Sequence, residues 1–260
     1  MSLPADELAR LPEHVQRLVA NAGQLPLRHR HGEPSDTARR SAVLILFGEG
    51  PGGPDVLLIE KSAHLRSHAG QPAFPGGGAD AGEDYPVGTA LREAQEEVGV
   101  DPASVRVLAT LPELFLGPSD NIVVPVVGWW DDPRDIATGD PREVARVARV
   151  PLAELVDPAN RFRVRHPAGY VGPAFGVAGM VVWGFTAGLL DAVLEAAGLN
   201  RPWNDRDVRP LAVLPPAQQW SGREDDADVD PVDADVADRA APTVADDAAR
   251  TGSPRTVPGP

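Results

Sequence analysis

The stretch Phe74–Val100, FPGGGADAGEDYPVGTALREAQEEVGV, narrows what this chain can fold into more than any other segment. Three consecutive glycines, Gly76–Gly78, follow an aromatic residue and a proline, an acidic turn comes next, and ALREAQEEVG then reads as a helix. In that helix Glu93, Glu96 and Glu97 stand at i, i+3 and i+4, so their carboxylates share one face about a turn apart. Ala90, Leu91, Ala94 and Val98 fall on the opposite side and need an apolar surface to cover them. Pro86 reads as the first helical residue and Gly99 as the residue that ends the helix. One flank must therefore lie on a core while the other concentrates negative charge.

Like charges at these spacings cost a helix a few tenths of a kcal/mol per pair, roughly, and Arg92, placed to pair with Glu96 at i+4, relieves only part of that. Something positive has to compensate. Hard divalent cations such as Mg²⁺ or Mn²⁺ take oxygen ligands and are held by a few carboxylates together with the phosphates of a substrate. The glycines just upstream let the backbone approach such an ion and its phosphate with no Cβ in the way. The competing reading is a solvated acidic helix face.

The stretch resembles the box of the Nudix hydrolases, Gly-x5-Glu-x7-Arg-Glu-U-x-Glu-Glu-x-Gly-U with U aliphatic. Gly78, Arg92, Glu93, Glu96, Glu97, Gly99 and Val100 fall on it. Two positions depart: the first U is Ala94, and the upstream Glu position, counted back from Arg92, is Asp84 with Glu83 beside it. Asp84 keeps the charge with a shorter reach, and Glu83 is the alternative.

The residues before the box extend the likeness. Leu57 to Gly77 reads LLIEKSAHLRSHAGQPAFPGG and is similar to the additional motif of the subgroup that cleaves coenzyme A, approximately LLTxRSxxLRxHxGQVxFPGG. Leu57, Leu58, Ser62, Leu65, Arg66, His68, Gly70, Gln71, Phe74, Pro75, Gly76 and Gly77 match, whereas Ile59, Lys61 and Pro72 depart. Lys61 in place of Arg exchanges a planar fork for a point charge. The subgroup also sets its Gly-Gly one residue further from the Arg-Glu than most Nudix proteins do, as Gly76-Gly77 stands here. Independently of the likeness, Lys61, Arg66 and His68 put cationic or hydrogen-bonding groups beside a phosphate site. Bracing of the loop by Arg66 or His68 is the alternative.

Charge and composition exclude several classes. Residues 221–260 contain no Leu, Ile, Phe, Tyr or Trp and carry ten acidic residues against four arginines, so the segment reads as a disordered acidic tail. Its net of −6 leaves −8 of the chain's −14 for residues 1–220, which argues against a nucleic-acid partner. The absence of cysteine removes disulfide and thiolate chemistry. The first residues lack a basic and an apolar leader region, and no apolar run is long enough to span a bilayer, so no membrane partner and a cytoplasmic location are expected.

The remaining chain supplies strands and helices in irregular alternation. Apolar spacing over 12–21 predicts a docking helix, and 182–197 a second long helix closed by Gly198. Strands are expected at 41–47, 56–60, 105–111, 122–130 and 144–150, and a hairpin over 162–166 and 170–175. Arg28, His29, Arg30, His31, Arg39 and Arg40 make a basic patch, read either as a phosphate contact or as a solvated loop. The 112–121 loop, with Phe115, Ser119, Asp120 and Asn121, reads as a cleft lining or as a plain turn, and His166 as a satisfied loop histidine that could also reach a substrate. Such a mixture predicts a mixed α/β class with a sheet between helices, and the Nudix likeness implies the same α/β/α sandwich with a mixed sheet. The expected organisation is one catalytic domain over 1–200, a linker over 201–220 and the tail over 221–260.

The function implied is a metal-dependent hydrolase of a nucleoside diphosphate linked to another group. Glu93, Glu96 and Glu97, helped by the Gly77 carbonyl, would hold Mg²⁺ or Mn²⁺, water would be the nucleophile, and Glu93 or Glu96 the base, with Arg92 orienting the carboxylates. Lys61, Arg66, His68, Gln71 and Phe74 are the substrate-binding candidates, for a small-molecule nucleotide. The subgroup likeness implies coenzyme A or acyl-coenzyme A; ADP-ribose, a dinucleotide, or a Nudix fold that only binds nucleotide are the alternatives.

Overall fold

The computed structural model describes residues 4–25, 33–65, 68–133, 136–167 and 169–211. Arg66, the patch residues Arg28, His29, Arg30 and His31, and the expected tail lie outside them. The chain opens with a short helix α1 (Ala5–Leu8) and the docking helix α2 (Glu13–Asn21). Strands β1 (Arg39–Gly50) and β2 (Gly53–Lys61) form a hairpin closed at Gly50 and Gly53, longer at both ends than apolar pattern alone marks. Two short strands follow, β3 (Pro72–Ala73) and β4 (Gly76–Gly78), and then the acidic helix α3 (Val87–Val98). Strands β5 (Val105–Thr110), β6 (Leu114–Leu116), β7 (Asn121–Trp130) and β8 (Val144–Pro151) complete the large sheet.

The path through that sheet is β3-β2-β1-β7-β5, with β4 also on β1, β6 on β7 and β8 on β2. β1 and β7 run parallel, from Arg39 opposite Asn121 to Phe47 opposite Trp129, while the other pairings are antiparallel, so the sheet is mixed. Side chains of a strand alternate between faces, and the core divides accordingly. Ala42, Leu44 and Leu46 of β1, with Leu57, Ile59 and Val126, meet Ala90, Ala94 and Val98 of α3. Ile45 and Phe47, with Val56, Leu58 and Val127, face Val15 and Leu18 of α2 on the other side. Trp129 and Trp130 point to opposite faces and are both buried.

A short helix α4 (Leu152–Leu155) leads into a second sheet of β9 (Arg161–Arg165), β10 (Val171–Val177), β11 (Met180–Val182) and β12 (Val208–Pro210), ordered β11-β10-β9-β12. Helix α5 (Gly184–Ala196) starts two residues later than the spacing predicts, because Val182 pairs with Phe175 as strand. Leu189, Leu190 and Val193 of α5 join the same core layer as α2. The second covering layer is thus two helices and a small sheet. β12 pairs in parallel with β9 and Leu211 is buried, a strand the reading of 201–220 as linker does not anticipate. Arg161 secures this region: its guanidinium lies between the rings of Phe175 and Trp203, 4.8 and 4.6 Å from their centroids, and bonds Asn200 and Asp191.

Candidate active site

The site is built where β4 crosses the α3 side of the sheet. Glycine is required at position 76, since a Cβ there would lie 2.3 Å from the Ala42 carbonyl oxygen and 2.7 Å from Val43 Cα. That close approach of β4 to β1 brings the Gly76 N–H to Glu97, whose Oε2 accepts it at 3.0 Å. Glu97 Oε1 accepts from Lys61 Nζ at 3.3 Å. Gly77 presents the same logic with a different neighbour: a Cβ would lie 2.4 Å from both Cδ and Oε1 of Glu93. The missing side chain is the space the Glu93 carboxylate occupies.

Arg92 organises the acidic face. Its Nε donates to Glu83 Oε1 at 2.8 Å, one terminal nitrogen to Glu96 Oε2 at 2.9 Å, and the other to Glu93 Oε1 and the Gly78 carbonyl, both at 2.9 Å. Helical spacing accounts only for the Glu96 contact. The rest depends on the glycine strand and the acidic turn folding back over the helix. Glu83 Oε2 also accepts from Thr89 Oγ1 at 2.7 Å and from the Asp80 N–H at 3.1 Å. Asp84, the position the box spacing points to, is exposed, whereas Glu83 hydrogen-bonds Arg92 and Asp80 of the same turn lies 3.8 Å from Arg92 Nε.

The carboxylates sit at graded depth, with side-chain exposures of 6% for Glu97, 17% for Glu93 and 60% for Glu96. Burial pushes the Glu97 and Glu93 carboxyls above the usual range, against the pull of Lys61 on the first and Arg92 on the second. Hydrogen bonds from Arg92, then Thr89 and the Asp80 N–H, take Glu83 the other way, down to about 2. Two groups here resist carrying charge and one holds it firmly. Among the described residues no three acidic or histidine side chains are gathered closely enough to form a metal site by themselves.

The loop before the glycines hangs from Lys61. The Lys61 N–H donates to the Gln71 carbonyl at 3.0 Å and the Lys61 carbonyl accepts from Gly70 at 3.1 Å, closing residues 62–70 beside Glu97. In that loop His68 Nδ1 and Gln71 Oε1 are 2.9 Å apart, so these two candidates bind each other. His68 has a left-handed backbone, φ 56°, at the turn. Phe74 is a correction: at 2% exposure it belongs to the core with Leu58 and Val127 and has no surface to offer a substrate.

Other readings resolve structurally. Asp120 accepts from the Ser35 N–H and Oγ and Ser119 from Arg39, which makes their loop a turn tied to the segment before β1. Arg40 stacks over Tyr85, 5.4 Å from the ring centroid. His166 is buried and stacked on Trp183 in the small sheet. Two contributors carry no local signal: Thr89, which bonds Glu83, and Gly139, whose N–H donates to the Glu97 carbonyl at 2.8 Å across the end of α3. Gly139 lies 42 positions from Glu97, and only its close approach, a Cβ 2.0 Å from the Glu96 carbonyl oxygen, explains the residue type.

Comparison with known proteins locates this geometry. The NUDIX domain matches residues 37–171, which span β1 to the start of β10 and contain every group of the site. Similar proteins include the Nudix hydrolase NudL of Photorhabdus laumondii, 42% identical over 136 residues that cover 52% of this chain and 71% of that one. NudL of Escherichia fergusonii is 39% identical over 174 residues, 62% of this chain and 84% of that one. Nudix hydrolase 22, chloroplastic, of Arabidopsis thaliana is 32% identical over 198 residues, 71% of this chain and 63% of that one. A match over half of the chain, centred on an Arg92-bridged carboxylate helix behind a glycine strand, establishes that the chain belongs to the Nudix hydrolase family.

Proposed function

We propose that this protein hydrolyses the diphosphate of coenzyme A or an acyl-coenzyme A, releasing 3′,5′-ADP and 4′-phosphopantetheine or its acylated form. The observation that carries the reading is the position of the 62–70 loop: it bears the residues resembling the coenzyme A subgroup and closes on Lys61, 3.3 Å from the buried Glu97. Gly70 and Gln71 are thereby tied to the residue that pairs with Glu97. His68 and Gln71, 2.9 Å apart, are the described groups of this segment proposed to meet phosphate; Arg66 lies outside the described residues.

Nudix hydrolases generally use divalent metal ions, and the donor set here fits one. Glu93, Glu96 and Glu97 and the Gly77 carbonyl are all hard oxygen donors, and the absence of a Cβ at Gly77 leaves room for the Glu93 carboxylate beside the backbone. Mg²⁺ or Mn²⁺ bound there would acidify a water and offset charge on the diphosphate oxygens. The chain's own residues do the rest. Arg92 orients Glu93 and Glu96 through the same guanidinium, so their carboxylates move together. Glu93, largely enclosed and with its proton affinity raised by burial, is the proposed acceptor of the water proton, and Glu96 stands exposed beside it. Water oxygen bonds to phosphorus, the bridging oxygen leaves with the other phosphate, and the proton passes to the carboxylate.

Incubation with coenzyme A, an acyl-coenzyme A, ADP-ribose and a dinucleotide in the presence of Mg²⁺, with separation of products, tests the reading. Preferential release of 3′,5′-ADP supports it, and a preference for ADP-ribose refutes it in favour of a general nucleoside-diphosphate hydrolase. In the same assay Glu97→Gln lowers turnover by orders of magnitude with the fold kept. Ligand binding without any product would make the protein a non-catalytic nucleotide-binding module.

A further inference from the structure

The cationic partners of the acidic site differ in kind. Arg92 is a planar fork with four acceptors, held on three sides. Lys61 is a compact charge on a flexible stem making one contact, to the Oε1 of a carboxylate whose other oxygen already accepts from the Gly76 N–H. Its backbone is fixed by bonds to Gln71 and Gly70 and by pairing of β2 with β8, so the ammonium returns to the same place whenever nothing else competes for Glu97. Glu97 is the most enclosed of the three helix carboxylates and cannot carry charge alone without cost.

We propose that Lys61 is the internal counter-cation of Glu97, exchanged for the divalent ion when the latter binds, and that this exchange sets the protein's metal affinity. The inference rests on the reading of Glu97 as a metal ligand. Oxygen Oε1 cannot serve the ammonium and a small, strongly polarising cation at full strength, so each weakens the other. The exchange keeps Glu97 compensated in both states. The displaced ammonium is then available to the anionic diphosphate.

The signature is a pair of effects with opposite sign. In protein stripped with EDTA, Lys61→Met leaves Glu97 without its counter-charge, and the midpoint of thermal unfolding falls by about 3–5 °C. The same variant binds Mn²⁺ about tenfold more tightly by titration calorimetry, the scale of one competing partly buried charge contact removed. Its Mn²⁺-induced rise in unfolding midpoint is correspondingly larger than that of the unaltered protein. Lys61→Arg restores the midpoint in EDTA and returns Mn²⁺ binding to the unaltered level or weaker. Lys61→Gln serves as a second neutral variant should the Met form not fold. Equal or weaker Mn²⁺ binding by the neutral variants overturns the proposal, because a bracing or substrate-only role for Lys61 predicts that result. Glu97→Gln separates the two levels. If it weakens Mn²⁺ binding while the Lys61 variants do not tighten it, only the exchange is wrong; if it binds Mn²⁺ normally, the metal reading fails and the exchange with it.

Discussion

Adjacent glycines in β4 divide the work of fold and chemistry, and substituting each by alanine separates the two. At Gly76 the added Cβ meets backbone, 2.3 Å from the Ala42 oxygen and 2.7 Å from Val43 Cα, so β4 has to leave β1. That also breaks the Gly76 N–H bond to Glu97, which leaves a buried carboxylate short of a donor. Strain of this kind together with the lost bond costs roughly 2–4 kcal/mol and lowers the unfolding midpoint by about 5–15 °C. At Gly77 the Cβ meets only the far end of Glu93, at 2.4 Å. A normal contact needs the carboxylate to retreat by roughly 1 Å, the side chain can do so, and Arg92 keeps its other acceptors. The stability loss should stay below about 1 kcal/mol, while a displacement of that size at a reacting group lowers turnover on the order of a hundredfold. Thermal unfolding and steady-state hydrolysis with Mg²⁺ on both purified variants give the comparison. Near-normal turnover in Gly77→Ala, or an equal loss of stability in the two, would falsify the assignment of Glu93 to the site.

Three further outcomes follow from named contacts. Glu83, held down to about 2 from an ordinary 4.5, stabilises the folded state fully above its unfolded value, and that contribution is lost as pH falls through the folded one. Glu83→Gln should therefore flatten the acid limb of a plot of unfolding midpoint against pH between about 4.5 and 2, and an unaltered limb would refute the assignment. Phe74→Ala should destabilise by about 3–5 kcal/mol in chemical denaturation with no shift in substrate preference; a changed preference at full stability would return Phe74 to the substrate site. Because Glu93 and Glu97 bind protons more tightly than ordinary carboxyls, Mn²⁺ affinity should decline on acidification at a higher pH than for exposed carboxylates, measurable by calorimetry across the range.

How much of this was legible depended on whether the cause was local. Glu93, Glu96 and Glu97 declare themselves through helical spacing, and the strands through period-2 apolar runs, because both signals come from residues a few positions apart. Asp84 shows where such counting stops. Position along the chain selects it, yet Glu83 wins in space because Thr89 and the Asp80 N–H are placed to receive its carboxylate. Phe74 carries a motif residue's position and a core residue's environment, and only the pairing of β4 with β1 distinguishes them. β12 is three residues long and is defined by its partner Arg163–Arg165, so no pattern of its own marks it. Gly139 and Lys61 reach Glu97 from 42 positions after it and 36 before it, and a single sequence offers nothing that links them.

Formal charges at the site then decide what completes it. Four carboxylates, Glu83, Glu93, Glu96 and Glu97, are bonded to two cations, Arg92 and Lys61. With Asp80, whose carboxylate lies 3.8 Å from Arg92 Nε, the carboxylates outnumber the cations in a site that is largely screened from water at Glu83, Glu93 and Glu97. A divalent ion offsets more of that excess than a monovalent one. If the ion also displaces Lys61 from Glu97, the complex is left with a mobile ammonium facing the only other anion the reaction brings, the substrate diphosphate. In that case one lysine links metal entry to substrate capture. Neutralising that lysine should consequently raise KM for the diphosphate substrate at saturating Mn²⁺ even while it tightens Mn²⁺ binding, and a fall in KM would show that the ammonium never meets the substrate.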